Sequence, residues 1–137
     1  MKYIGPDFCN ITSLLTDEEL LIQKTANEFV AKEFLPVVNE YYEKGSFPKE
    51  LIGKMGELGF FGATLPKKYG GSEISSTAYG LIMQELEKGD SGLRSVCSVQ
   101  GGLVMYPIFE YGSEEQKEKW LPELAAGKAV GLSLIHI

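Results

Sequence analysis

Apolar residues recur along most of this chain at steps of three and four, the spacing of helices that bury one face. Thr16-Asp17-Glu18-Glu19 opens the first with a hydroxyl at the cap and a carboxylate three positions on, a capping box. Ile22, Ala26, Phe29, Val30 and Phe34 then follow at helical spacing. Pro36 restricts Leu35 and predicts a break, after which a second helical piece runs over 37–43 to a stop at Lys44-Gly45. Phe47-Pro48-Lys49-Glu50 restarts a helix, with Leu51, Ile52, Met55 and Leu58 as its stripe and Gly59 as its end. Phe60-Phe61-Gly62-Ala63-Thr64-Leu65-Pro66 reads as a tight apolar connector and Lys67-Lys68-Tyr69-Gly70-Gly71 as an exposed loop.

Ser75 or Ser76 caps the next helix, predicted to bury Ala78, Leu81, Ile82 and Leu86 and to expose Glu85, Glu87 and Lys88. Gly89-Asp90 breaks it. A central helix then runs from Ser91 toward Tyr111-Gly112, with Val96, Val99, Leu103 and Val104 facing the core and Pro107 bending it or starting a new turn. Ser113-Glu114-Glu115-Gln116 is a second capping box. Its helix is expected to point Trp120 and Leu124 inward and Lys117 and Lys119 outward, to kink or restart at Pro122, and to end near Ala126-Gly127-Lys128. Only 129–137 reads as strand-like, and a lone strand has no partner here.

The pattern predicts an all-α protein, a bundle of about six helices with a short orphan C-terminal strand. Its parts are an arm over 1–15, pinned by Phe8, Ile11, Leu14 and Leu15, a helical domain over 16–128, and a tail over 129–137. That tail is either the start of a β domain or foreign to the bundle, and the orphan strand points to a larger protein.

At 137 residues the chain can hold one core. Its net charge of -6 argues against nucleic acid and anionic membrane as partners, though not against a small anion at a local site. No apolar run of about 18 residues exists to span a membrane. The start, Met1-Lys2-Tyr3-Ile4-Gly5-Pro6-Asp7, has no signal-peptide core, so a cytoplasmic setting is the default expectation. Cys9 and Cys97 fit no metal spacing, and a reduced, buried Cys97 is expected. His136 reads as incidental. The Gly70-Gly71 pair follows no strand, so it reads as plain loop rather than as a phosphate cradle.

The candidate chemistry lies in Gly89-Asp90-Ser91-Gly92-Leu93-Arg94-Ser95-Val96-Cys97-Ser98-Val99-Gln100. On a helix from Ser91, Arg94, Ser95 and Ser98 share one face, and Gly101 and Gly102 extend it by a turn. A guanidinium beside hydroxyls can seat a carboxylate or phosphate. The bland alternative stands beside it: Arg94 reaches solvent or pairs with Asp90, the serines bond back to the preceding turn, and the glycines allow close packing.

From Leu15 to about Gly131 the chain resembles the N-terminal helical domain of the flavin-dependent acyl-CoA dehydrogenases. The resemblance is carried by Lys54-Met55-Gly56-Glu57-Leu58-Gly59-Phe60, Pro66-Lys67-Lys68-Tyr69-Gly70-Gly71 and Glu85-Leu86-Glu87. It continues through Tyr111-Gly112-Ser113-Glu114-Glu115-Gln116-Lys117, Trp120-Leu121-Pro122 and Leu124-Ala125-Ala126-Gly127. Within the family, Ala78-Tyr79-Gly80-Leu81, Asp90-Ser91-Gly92-Leu93-Arg94-Ser95, Ser98-Val99-Gln100 and Leu103-Val104-Met105 are most similar to glutaryl-CoA dehydrogenases. The resemblance implies an FAD-dependent enzyme that oxidises an acyl-CoA, with glutaryl-CoA decarboxylated to crotonyl-CoA, in a homotetramer. It implies that Arg94 and Ser95, with Ser98, contact the far carboxylate of the acyl group. The family's catalytic base and flavin contacts map to no residue here, and no metal is implied. Another short-chain acyl-CoA substrate, or a non-catalytic helical interaction module, remains as an alternative.

Overall fold

The protein is described from a computed structural model covering residues 7–132. The residues expected to begin the arm (1–6) and those that end the tail (133–137, with His136) lie outside the described residues.

Helix α1 spans Asp17–Phe29 and opens on the predicted capping box, in which Thr16 accepts from the Glu19 amide while Glu19 accepts from the Thr16 amide. It continues without interruption into a π turn over Val30–Phe34. Helices α2 (Val38–Glu43), α3 (Glu50–Glu57) and α4 (Ser76–Gly89) follow. Helix α5 (Ser91–Ser98), a second π turn (Val99–Met105) and helix α6 (Tyr106–Tyr111) form one continuous rod, and α7 (Glu114–Ala125) closes the set. Taken as continuous units, six helices occur among the described residues, as the periodicity predicts. Each π turn runs up to a proline, Pro36 or Pro107. Proline lacks an N–H and its ring crowds the carbonyl four residues back, and a widened turn relieves both problems. At Pro107 a new α-helical turn, α6, starts directly after the π turn.

Helices α1 and α4 pack side by side and run the same way. Ser75, the cap of α4, donates to Glu19 at 2.8 Å near their starts, and Glu85 accepts from Gln23 and Asn27 at 3.0 and 2.9 Å further along. The core between them and the rest takes in Ala26, Phe29, Val30, Phe34, Leu51, Met55, Phe60, Phe61, Leu86, Leu93 and Leu121. Phe29 meets Phe60 edge to face, ring centroids 5.6 Å apart.

Several expected faces are corrected. Glu85 is 2% exposed rather than outward, because three donors from α1 and α4 satisfy its carboxylate. Leu103 is exposed, and Gln100 and Met105 turn to the core instead, since the π turn inserts a residue and rotates the positions past its start, while Cys97 is buried as expected. Leu58 also lies exposed at the end of the α3 stripe. Trp120 is 45% exposed, with the Lys119 ammonium 4.8 Å from its ring, while Leu121, Leu124 and Ala125 face inward. Lys117 is the opposite case: its stem is buried across Phe109 and its ammonium reaches Glu114 at 3.4 Å. Tyr69, placed in an exposed loop by sequence, is buried, and its hydroxyl donates to Glu114 at 2.8 Å. In the arm, Phe8, Ile11 and Leu14 are exposed and do not pin it. Among the described residues there is no strand: 129–132 is irregular, and its polar backbone groups at Ala129 and Gly131 are taken by the Gln100 side chain. No helix among the described residues is long and apolar enough to cross a membrane.

Candidate functional site

The corner between α4 and α5 is a single extended residue, Asp90, with φ -170° and ψ 140°. Its amide ends α4 by donating to the Leu86 carbonyl, and its carboxylate starts α5 by accepting from the Gly92 and Leu93 amides at 2.7 and 3.2 Å. Asp90 is thus committed to the backbone and is not the partner of Arg94. So tight a corner folds α5 back against α4 and brings Glu87 to Arg94, seven residues on.

Arg94 is 35% exposed on its side chain. Its Nε donates to Glu87 Oε2 at 2.7 Å and its Nη1 to Ser98 Oγ at 3.1 Å. Ser98 Oγ in turn donates to the Ser95 carbonyl at 3.2 Å. The structure therefore joins Arg94 and Ser98 directly and brings in Ser95 through its backbone. The bland reading holds in part: the serine bonds back to the preceding turn, and the guanidinium pairs with an acid, Glu87 rather than Asp90. Glu87 and Ser98 engage two of the five N–H donors of the guanidinium. Sequence spacing does not pair Glu87 with Arg94, because the contact crosses a corner rather than following one helix.

Beside this face a cleft of about 350 Å³ opens between α4, the connector after α3 and the second π turn, lined by Thr64, Ser76, Tyr79, Gly101, Gly102 and Tyr106 among others. Burial pushes the Tyr79 phenol above its usual range, the neighbouring Cys97 thiol adds to the push, and Arg94 draws it back. Cys97 is fully buried and donates to the Phe60 carbonyl at 3.3 Å; burial raises its thiol to about 12, so it is an inert packing group. Neither the cleft of about 350 Å³ nor a larger groove of about 530 Å³ between α1 and α3 is lined by Arg94, Ser95 or Ser98.

Among the described residues no group of His, Cys, Asp or Glu side chains could hold a metal ion. The Gly70-Gly71 loop fits no phosphate. Its amides are spent on the Lys67 and Pro66 carbonyls, and a Cβ on Gly71 would stand 2.0 Å from the Leu65 carbonyl oxygen. Gly71 is packed against the Leu65 backbone, so the pair forms no phosphate cradle.

Residues 16–128 match the family described as acyl-CoA dehydrogenase, N-terminal domain. A glutaryl-CoA dehydrogenase from Mycobacterium smegmatis, solved in complex with FADH2, is 44% identical with a TM-score of 0.87, over 90% of this chain and 32% of that one. Butyryl-CoA dehydrogenase from Megasphaera elsdenii is 38% identical with a TM-score of 0.78, over 85% of this chain and 31% of that one. A 3-(aryl)acrylate reductase from Clostridium sporogenes is 35% identical over 113 residues, 82% of this chain and 30% of its own length. The chain thus spans about a third of the length of these relatives. With nearly the whole helical bundle matched, the chain belongs to the acyl-CoA dehydrogenase family, of which it carries the N-terminal domain.

Proposed function

We propose that this domain forms one wall of the acyl pocket of a flavin-dependent acyl-CoA dehydrogenase and that the substrate is glutaryl-CoA. The observation that carries the reading is the Arg94–Ser98 pair: a cation fixed by Glu87 on one side and beside an oriented hydroxyl on the other. The guanidinium keeps three N–H donors beyond those given to Glu87 and Ser98 to meet the distal carboxylate of a dicarboxylic acyl chain, and the Ser98 O–H joins them once it turns from the Ser95 carbonyl. Ser95, one residue along the same face, is a further contact. The role of these residues is to orient the acyl chain, not to move protons or hydride. FAD supplies hydride acceptance in such enzymes when bound, and no residue described here is assigned to it. The expected assembly of the whole enzyme is a homotetramer, and the expected setting is cytoplasmic.

A short monocarboxylic acyl-CoA is the second reading. It is favoured by Glu87, which already neutralises Arg94 without any ligand.

The test grafts residues 16–128 into the glutaryl-CoA dehydrogenase of Mycobacterium smegmatis and compares two substrates. A charge-assisted bond contributes about 1.5–3 kcal/mol. Arg94→Ala should then lower kcat/KM for glutaryl-CoA by roughly 10- to 150-fold. The rate with a monocarboxylic acyl-CoA of similar length should fall far less. Arg94→Lys should restore only part, since a point charge lacks the planar fork. Equal losses on both substrates would make Arg94 a holder of helix shape and remove the glutaryl reading.

A further inference from the structure

Gln100 is the one neutral polar side chain buried in the core among the described residues, at 1% exposure, and it sits inside the second π turn. Its carboxamide is saturated. Nε2 donates to the Leu124 carbonyl at 3.0 Å and to the Ala129 carbonyl at 2.8 Å, and Oε1 accepts from the Gly131 amide at 3.0 Å. One side chain thus caps the C-terminal turn of α7 and holds the segment after it. The hold is reinforced at Gly131, where a Cβ would stand 2.4 Å from the Val104 side chain, so that only glycine lets the backbone lie this close to the π turn.

The same turn carries the candidate site on its other side. Ser98 immediately precedes it, and Gly101 and Gly102 line the cleft beside Tyr79. A π turn holds one more residue than the α-helical turn it replaces, so its relaxation to α geometry would rotate everything beyond it by about 100° relative to Arg94 and Ser98. We propose that Gln100 is a latch that maintains the π turn, and that through it the conformation of residues 129–131 and the shape of the Arg94–Ser98–Gly102 face are interdependent. Release of the segment would free the carboxamide, and an unpartnered buried amide is a strong drive for the turn to rearrange. The inference concerns the coupling of two segments and does not depend on which substrate the site takes.

Amide hydrogen exchange and 15N–1H spectra of the 137-residue chain test it with two variants. Gln100→Leu keeps the approximate shape and removes all three bonds. Gln100→Glu keeps an acceptor for the Gly131 amide and loses the donors. In Gln100→Leu the Gly131 amide should lose protection by about tenfold or more, one broken bond's worth, and the amide resonances of 98–105 and the Arg94 Nε–H should move. Leu86 and Leu93 amides should keep their protection. Gln100→Glu should retain part of the Gly131 protection yet still shift 98–105. Loss at Gly131 with the π-turn and Arg94 signals unmoved would overturn the coupling, as would a uniform loss at every amide. If Gln100→Leu fails to fold, the Gln100→Glu spectrum decides: unmoved signals over 98–105 refute the latch.

Discussion

Replacing Glu85 with alanine should cost this domain a large part of its stability. Glu85 lies in α4 at 2% exposure and accepts from Gln23, Asn27 and Lys88 at 3.0, 2.9 and 2.6 Å. Lys88 is 36% exposed, so on losing Glu85 it returns to water and its share is small. The amides of Gln23 and Asn27 are partly buried between α1 and α4 and would be left short of an acceptor, at about 1–3 kcal/mol for each buried group so stranded. With the space left by the side chain, the expected loss is about 3–5 kcal/mol, the range for breaking a buried charged network from one side. That is a sizeable fraction of the roughly 5–15 kcal/mol that holds a domain of this kind folded. Glu85→Gln keeps the shape but turns an amide donor toward another donor, and should cost an intermediate amount. Gln84→Ala, exposed on the same helix, is the control and should change stability by less than about 0.5 kcal/mol. Urea unfolding followed by far-ultraviolet circular dichroism measures all three. A Glu85→Ala loss no larger than the control's would show that water, not Gln23 and Asn27, satisfies the carboxylate. The network also bears on the candidate site, because it anchors the helix that delivers Glu87 to Arg94.

Two further outcomes rest on titratable groups. A thiol-specific reagent should label Cys9 rapidly in the native chain and Cys97 only on unfolding, since Cys97 is buried and its thiol is raised to about 12; two rapid equivalents would mean that the core around Phe60 opens. Hydrogen bonds from Lys68, Tyr69 and Lys117 lower the Glu114 carboxyl from its usual 4.5 to about 2. A lowered folded-state value means the unfolded chain takes up the proton first, so this contribution is present above pH 4.5 and is lost as pH falls toward 2. Thermal melts over that window should show a shallower decline for Glu114→Gln than for the parent, and the difference should shrink in high salt because the group is exposed. Parallel declines at low salt would rule the interaction out as a source of acid sensitivity.

The polar face of α5 illustrates how the candidate site is divided between spacing and folding. Arg94 and Ser98 meet because they are four apart on one helix, which can be counted along the chain. The third member, Glu87, meets them only because Asp90 compresses the α4–α5 corner to one residue. That member bears on the proposed role of Arg94, since it orients the guanidinium and offsets its charge.

The helices and their ends are legible in the order of residues alone. The capping boxes at Thr16 and Ser113, the cap at Ser75 and the stripe from Ala26 to Phe34 are local features, governed by hydrogen bonds and periodicities within one or two turns, and they stand as read. Which polar groups are buried, and how far each helix is rotated, depends on packing. Glu85, Gln100 and Tyr69 look like surface residues in sequence, because their partners lie 62, 31 and 45 positions away. Leu103 looks like a core residue because an ideal helical period carries it inward, whereas the stretch folds as a π turn. A buried polar side chain is stable only where distant donors and acceptors converge on it, and that convergence belongs to the packed bundle rather than to any one stretch of the chain.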